Sequence, residues 1–429
     1  MTYAIDALIK QPTSVVDSMA TRTLLGASQA SLTPPSPVAS TLEPEVSEQV
    51  LDGVGDDRDH VTESGRDSDE SKPAETAIAT IAVGGRVHDI VVSPDGEYLY
   101  VARSDSVVVI NGRQHIVARI PITGPAKNLV MGADGKQLFV INYDGSVVVI
   151  DTLDHIAQTL WDGCASDVVV SPDGRHLYAA HNQVIDGEAA GAISVIDIAC
   201  ATTAATVPVH DVAALAISPD GSRLYAVSYD QRSYYQYPAG WLTIIDTASH
   251  AAVKTIAIGA CPETVTASPD GTYLYITHYD TCSVSAVNLT TDSTTAVALP
   301  DAPLAVVFTP DSVHAYVRNV HSVAVVDTTT SEADNIDIAD LPRGLQLSPD
   351  GKHAYITNFG DGMLSVVDTI TKSVVTTVDA PGYPDAVAVS PDGERIYVGD
   401  YWCGAVAVIS VPTVYDLHTD AAFSGQVAR

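Results

Sequence analysis

The chain has 429 residues, 46% hydrophobic and 17% charged, with 53 Asp+Glu against 21 Lys+Arg and a formal net charge of −32. That is ample material for a core. Nucleic acid and anionic lipid surfaces are excluded as partners, because both need Lys and Arg to displace counterions, and no stretch reaches the roughly 18 apolar residues of a membrane span.

In chain order, the first segment is MTYAIDALIKQPTSVVDSMATRTLLGASQA. Asp6, Lys10 and Asp17 interrupt its apolar residues, so it does not read as a standard signal peptide. Residues 31–75 are rich in Pro, Ser and acid and poor in aromatics. They cannot bury enough apolar area to offset their ordering entropy, so residues 1–75 are expected to form a disordered acidic segment. Ile5, Leu8, Ile9, Val15, Val16 and Met19 mark at most a short amphipathic helix, interrupted at Pro12.

At residue 76 the texture changes. TAIATIAVGG (76–85) resembles VKTIAIGA (253–260), and reads as an outer strand with no three partners of its own. A turn of Ser-Pro-Asp-Gly type then recurs, with its Asp at Asp95, Asp134, Asp173, Asp220, Asp270, Asp311, Asp350 and Asp392. The intervals are 39, 39, 47, 50, 41, 39 and 42 residues. A period near 40 with several short strands per unit signals a β-propeller.

The fifth unit shows the pattern well. ETVTAS (263–268), YLYITH (273–278), SVSAVN (283–288) and TTAVAL (294–299) read as strands A, B, C and D. Pro presets φ for the A–B turn and Gly supplies a positive φ, giving a type I turn with a bulge. Looser turns are expected where Ala133 replaces the Pro and Ser312 replaces the Gly. Five residues after each Asp stands an aromatic: Tyr100, Phe139, Tyr178, Tyr225, Tyr275, Tyr316, Tyr355 and Tyr397. These rings are expected to wedge between neighbouring blades.

The last unit supplies strands A to C over 385–411, and PTVYDLHTD after it does not read as a fourth. Residues 77–83 are therefore expected to complete the last blade, which would remove open sheet edges. The expected fold is all-β: a single β-propeller of eight four-stranded blades (seven is the alternative), spanning 76–411 and followed by a tail, 412–429.

Two columns are candidates for a site at the channel mouth. Seven residues before each turn Asp stand His88, Lys127, Ser166, Ala213, Glu263, Leu304, Arg343 and Asp385. Eight after it stand Arg103, Asn142, His181, Ser228, His278, Asn319, Asn358 and Asp400. The ligand-binding set expected there is His88, Lys127, Glu263, Arg343, Asp385, Asn142, His181, His278, Asn319, Asn358 and Asp400. Aromatics follow the second column at Tyr143, Tyr229, Tyr279, Phe359 and Tyr401, with Trp402 next. Units three and four carry longer B–C connections, 181–192 and 229–241. The second bears Tyr234, Tyr235, Tyr237 and Trp241, expected as a recognition surface.

Cys164, Cys200, Cys261, Cys282 and Cys403 are few, odd in number and widely spaced. They fit neither a disulfide framework nor a zinc pattern. Free thiols are expected, in a reducing compartment; a Cys261–Cys282 pair is the alternative.

The phrases LYITH, AYITN (354–358), AYVRN (315–319) and LFVIN (138–142), with strands such as LSVVDT (364–369), resemble the YVTN-type β-propeller repeat family. The resemblance implies the fold and is nearly silent on activity. It leads to the expectation of a non-catalytic binding scaffold acting through upper-face loops and the channel mouth. The alternative is a metal-dependent, lactonase-like hydrolase at that mouth. No cofactor is expected, or at most calcium or magnesium on oxygen ligands. The expected partner is a protein or a small polar ligand, and the chain is expected to be a monomer. Its expected place is the cytoplasm, with export or a cell-surface location without a classical signal peptide as the alternative.

Overall fold

The computed structural model describes residues 78–411 apart from 186–187, 210, 230–237, 339–340 and 381. Strands β1 to β32, numbered in chain order, form eight four-stranded antiparallel sheets. Eight blades stand in a ring, as the repeat count implies, and the alternative of seven falls away.

The inner strands line the channel. They are β2 (Val87–Val92), β6 (Ala126–Met131), β10 (Asp167–Val170) and β14 (Val212–Ile217), then β18 (Thr264–Ala267), β22 (Pro303–Phe308), β26 (Pro342–Leu347) and β30 (Pro384–Val389). With β1 (Ile78–Ala82), β31 (Arg395–Asp400) and β32 (Ala405–Ser410), the eighth blade has the order β1-β32-β31-β30. In it β1 pairs with β32, from Ile78 opposite Ile409 to Ala82 opposite Ala405. Val83 and Gly84 then donate their N–H groups to the Gly404 carbonyl at 2.9 and 2.8 Å. The chain's first described strand thus closes its last blade.

The wedging aromatics are all buried, between 0% and 5% exposed. Each packs on the next blade. Tyr100 lies among Leu129, Leu138 and Val140, and Tyr275 lies among Val306, Phe308 and Ala315. The core is therefore a set of seams between blades, not one central cluster, which is how a ring of flat sheets hides both faces of each.

The repeated turns are tight and uniform. In the first, Gly96 N donates to the Ser93 carbonyl at 2.9 Å, Ser93 Oγ donates to Asp95 Oδ1, and the Tyr98 N–H donates to Ser93 Oγ. Gly135 and Ser312 hold positive φ like the other turn residues, so the two variant turns are not looser. Ser312 replaces the freedom of glycine with a bond, its Oγ accepting from Asp270 N at 3.1 Å.

These turns also touch one another around the lower face. Gly96 faces Pro391, Gly135 faces Pro94, Gly221 faces Pro172 and Gly351 faces Pro310. Gly174 faces nothing within contact range, because the preceding blade carries Ala133 in place of Pro.

One connection differs from expectation. In place of the expected long B–C connection at 181–192, His176–Ile185 and Glu188–Asp197 run on as a paired ribbon to Ile185 opposite Glu188. Tyr234, Tyr235 and Tyr237 lie outside the described residues. All five cysteines are free, Cys261 buried and Cys282 half-buried.

Candidate functional site

The face opposite the Pro-Asp-Gly turns gathers the varied residues. After strand B, the residue nine beyond the turn Asp ties back to the entry of strand A. Tyr143 N donates to the Pro125 carbonyl, Phe359 N to that of Leu341, and Tyr401 N to that of Tyr383. That bond fixes where the aromatic side chain stands, over the rim of the channel.

On blades 7, 8, 1 and 2 these rings become continuous. Tyr383 and Phe359 have centroids 5.3 Å apart, Phe359 and Tyr401 6.5 Å, and Tyr401 and Trp402 5.0 Å. The His88 ring stands edge-on to Tyr401 and Tyr143, 5.6 Å from each. Arg86 lies over Trp402 at 4.1 Å and over Tyr401 at 5.4 Å, and Arg343 lies over Phe359 at 5.1 Å. Tyr143, Tyr383 and Trp402 remain 36–48% exposed. The result is a cluster of rings, mostly edge to face and open at Tyr143, Tyr383 and Trp402, with a guanidinium on either side, a geometry that suits cation–π contact.

His88 is the buried imidazole of this cluster. Its Nε2 lies 2.9 Å from Ser104 Oγ and its Nδ1 3.5 Å from Tyr143 Oη. Burial, with the nearby Arg86 charge, pulls its pKa down to about 4, so the ring is neutral at ordinary pH. A neutral imidazole is the form that can ligate a metal, and for His88 that would use Nδ1 in place of its long, 3.5 Å contact with Tyr143 while Ser104 holds Nε2.

Positive charge concentrates here in a molecule with few cations. Seven ion pairs join described residues, and six of them, such as Lys136–Asp134, Arg175–Asp173 and Lys352–Asp350, lie away from the mouth. Arg86, Lys127 and Arg318 are in none of them.

The expected site residues separate into two groups. His88, Lys127, Arg343 and Asp385 belong to the upper mouth. The second column turns into its own blades. His278 bonds the Ala260 carbonyl at 2.7 Å and Ser285 Oγ at 2.8 Å, and His181 bonds Ser194 Oγ. Asn142, Asn319 and Asn358 donate to Ser146, Ser322 and Ser365. Asp400 accepts from the N–H groups of Trp402 and Cys403. These six side chains therefore brace the B–C turns beneath the aromatics. Glu263 stands elsewhere on the rim, where its charge raises the pKa of both Cys261 and Tyr279 after the larger effect of burial. Trp241 is 41% exposed on the strand Gly240–Asp246 of blade 4.

Among the described residues no group of three or more His, Cys, Asp or Glu is arranged to hold a metal ion.

Sequence reasoning missed several residues. Arg86 and Tyr383 lie in short connections outside either column. Asp89 and Asp167, one position beyond the first column, reach to the next inner strand. Asp89 Oδ2 accepts from Leu129 N at 2.8 Å, and Asp167 Oδ2 accepts from Leu215 N at 2.7 Å. Arg318 stands in a column otherwise filled by Ala102, Ile141, Ala180, Val227, Thr277, Thr357 and Gly399. That single charge among small or apolar residues was the available signal.

Residues 310–425 match the family model described as the cytochrome D1 heme domain. The match begins in the A–B turn of blade 6 and takes in Arg318, Arg343, Phe359, Asp385, Tyr401 and Trp402. No curated protein matches the chain in sequence. Among solved structures, hydrazine synthase from Kuenenia stuttgartiensis is similar with a TM-score of 0.52 and 21% identity, over 80% of this chain and 100% of that one. At that identity the likeness is one of fold. Two expectations are thereby corrected. The family match points away from a non-catalytic scaffold or a lactonase-like hydrolase, and away from a chain with no cofactor beyond calcium or magnesium.

Proposed function

We propose that this protein is a haem-binding propeller with a redox role, its tetrapyrrole lying on the aromatic platform of blades 7, 8, 1 and 2. The observation that carries the reading is the unbroken series Tyr383, Phe359, Tyr401, His88 and Tyr143, flanked by Arg343 and Arg86. The partial match to a haem domain over the segment that supplies three of these five rings supports it.

The residues present fit such a group. A flat, largely apolar macrocycle needs ring faces to lie on, and the platform offers them. Its carboxylates need cations, and Arg86, Arg343 and Lys127 stand at the mouth of an otherwise acidic protein. Its metal needs a neutral nitrogen donor, and His88 is kept neutral by burial. When bound, a haem supplies one-electron chemistry at iron, tuned by its axial ligand and the hydrogen bonds around it. The chain's own part is to hold and orient. Ser104 fixes the rotation of the His88 ring, and Trp402 with Tyr401 restrains Arg86.

We infer in addition that the blades are of YVTN repeat type. The strand-B phrases and the uniform Ser-Pro-Asp-Gly turns support this.

The test is a haemin titration of purified protein, read by the shift of the Soret band. Saturable binding is expected. His88→Ala should weaken it about 10–100-fold and change the band position, and Arg86→Gln should weaken it about tenfold. No saturable binding, or equal binding by all three proteins, would overturn the proposal.

A further inference from the structure

The lower face carries a repeated clasp between the two turns of each blade. In blades 2 to 8 the residue that follows strand C donates its N–H to a carbonyl just beyond the A–B turn, from Thr152 to Lys136 in blade 2 round to Val411 to Glu394 in blade 8, at 2.8–3.2 Å. In blades 2, 4, 6 and 7 that residue is Thr, and its Oγ1 also donates to the carbonyl one position earlier, at 2.7–2.8 Å. Blade 1 has Gly112 there and makes neither bond. The place of the missing side chain is open: the Glu97 carbonyl oxygen, at 3.8 Å, is the one atom within 4 Å of a Cβ built at Gly112.

A cleft of about 530 Å³ opens at this point, between blade 8 and blade 1, a size that suits a small ligand. Gly96 and Glu97, whose carbonyls the clasp would occupy, line it, and Tyr397 of blade 8 lines it although only 5% exposed. At the next seam the equivalent phenol, Tyr100, is hydrogen-bonded to Thr152, the clasp residue of blade 2. For Tyr397 the corresponding residue is Gly112, which has no hydroxyl to offer, and no described residue hydrogen-bonds the Tyr397 phenol. Arg113 and Arg395 also line the cleft, and neither is in an ion pair among the described residues. Arg395 Nη1 donates to the Gly112 carbonyl at 3.1 Å. Three carboxylates face these two cations, Asp95, Glu97 and Asp392. Hydrogen bonds from Ser93 and Ser390 hold Asp95 and Asp392 ionised below the usual carboxylate range. An anion meets three negative charges here and a cation meets two positive ones, whereas a hydroxyl donates to the first kind and accepts from the second.

We propose that the seam between blades 8 and 1 binds a sugar through a vicinal diol. Threonine carries its N–H and its Oγ on adjacent carbons, and two neighbouring hydroxyls have the same spacing. They donate to the Gly96 and Glu97 carbonyls as the clasp does elsewhere. Further hydroxyls accept from Arg113, Arg395 and the Tyr397 phenol. Tyr98, 36% exposed, offers an aromatic wall to the C–H side of the sugar. The site lies on the face opposite the aromatic rings and its test uses the protein without haem, so the failure of one proposal leaves the other standing.

Purified full-length protein is titrated by calorimetry with D-glucose, D-galactose, D-mannose and cellobiose, and separately with inorganic phosphate. Saturable binding of at least one sugar is expected. Tighter binding of cellobiose than of the hexoses assigns the site to a sugar chain, and the reverse to a free sugar. Gly112→Thr restores the clasp and fills the cleft, and should weaken binding at least about tenfold while the melting temperature stays or rises. Tyr397→Phe, in a column that already holds Phe139, should weaken binding about threefold. Where Gly112→Thr melts lower than the parent, Arg113→Gln with Tyr397→Phe decides in its place. Three results overturn the proposal: no saturable binding of any of the four sugars, unchanged affinity in the deciding variant, or saturable binding of phosphate in place of sugar.

Discussion

Asp89 carries two opposing demands. Its carboxylate ties blade 1 to blade 2 through the Leu129 N–H and also accepts from its neighbour Ile90. Burial nevertheless raises its pKa to about 7, with the charge of Asp385 adding to the rise, while the two backbone bonds oppose it. The folded state therefore holds this proton more tightly than the unfolded chain does. The stability so conferred is full below about pH 4 and is lost as pH rises through 7. Asp89→Asn should flatten that fall, since Asn128 occupies the same column of blade 2. Urea unfolding at pH 5, 6, 7 and 8 checks it, and an unchanged slope would assign the effect elsewhere. A second residue-scale prediction concerns the wedges. The hydroxyls of Tyr275 and Tyr316 are buried without a hydrogen-bond partner. Tyr316→Phe should be neutral or stabilising by up to about 1 kcal/mol, as Phe139 in the same column suggests. Thermal unfolding reads it, and a loss above about 1 kcal/mol would show a partner for the hydroxyl.

At the scale of elements, the turns do more than reverse the chain. Each Gly of one blade meets the Pro of the blade before, so the lower face is a bracelet of contacts with one gap at Ala133 and Gly174. Ala133→Pro should close the gap. The position is the first of a type I turn, where proline fits, and the gain expected is about 0.5–1 kcal/mol, mostly from a less free unfolded chain. A lower melting temperature in this variant would mean that the residue 133 backbone differs from its counterparts. The element-level misreading, the ribbon 176–197, also has a reason. Asp186-Gly187 between alternating residues is a hairpin signal, but the small residues after it resemble loop composition. Pairing of Ile185 with Glu188 decided the matter.

At the scale of the molecule, closure governs everything. Five backbone-paired residues of β1 hold blade 8, and Arg119 of blade 1 donates to the Val83 carbonyl at 2.7 Å to lock the seam. Deleting residues 1–83 should expose the edge of β32 and yield aggregated or non-cooperatively melting protein. Deleting residues 1–70 should leave the melting temperature within about a degree. Size-exclusion chromatography with calorimetry separates the two, and a monomeric, cooperative 84–429 chain would show that closure is dispensable. Closure also brings blade 8 beside blade 1. That places Trp402 and Tyr401 over Arg86 and against His88, joining residues more than 300 positions apart.

The amino-acid order by itself determined the period, the four strands of each unit, the turns, the wedging rings and the borrowed strand. All of these are local patterns or repeated ones, and a repeat states its own geometry eight times over. The tertiary structure alone decided which polar residues share a site. The spacing that nominated Asn142, His278, Asn319 and Asn358 places them at the right height, but strand pleating turns their side chains into their own blades. Arg86, Arg318 and Tyr383 lie outside both candidate columns, and they meet the mouth because adjacent blades lean together around a closed ring. A linear period records height and blade number, and contact across a seam depends on side-chain direction and on closure, which no single repeat contains.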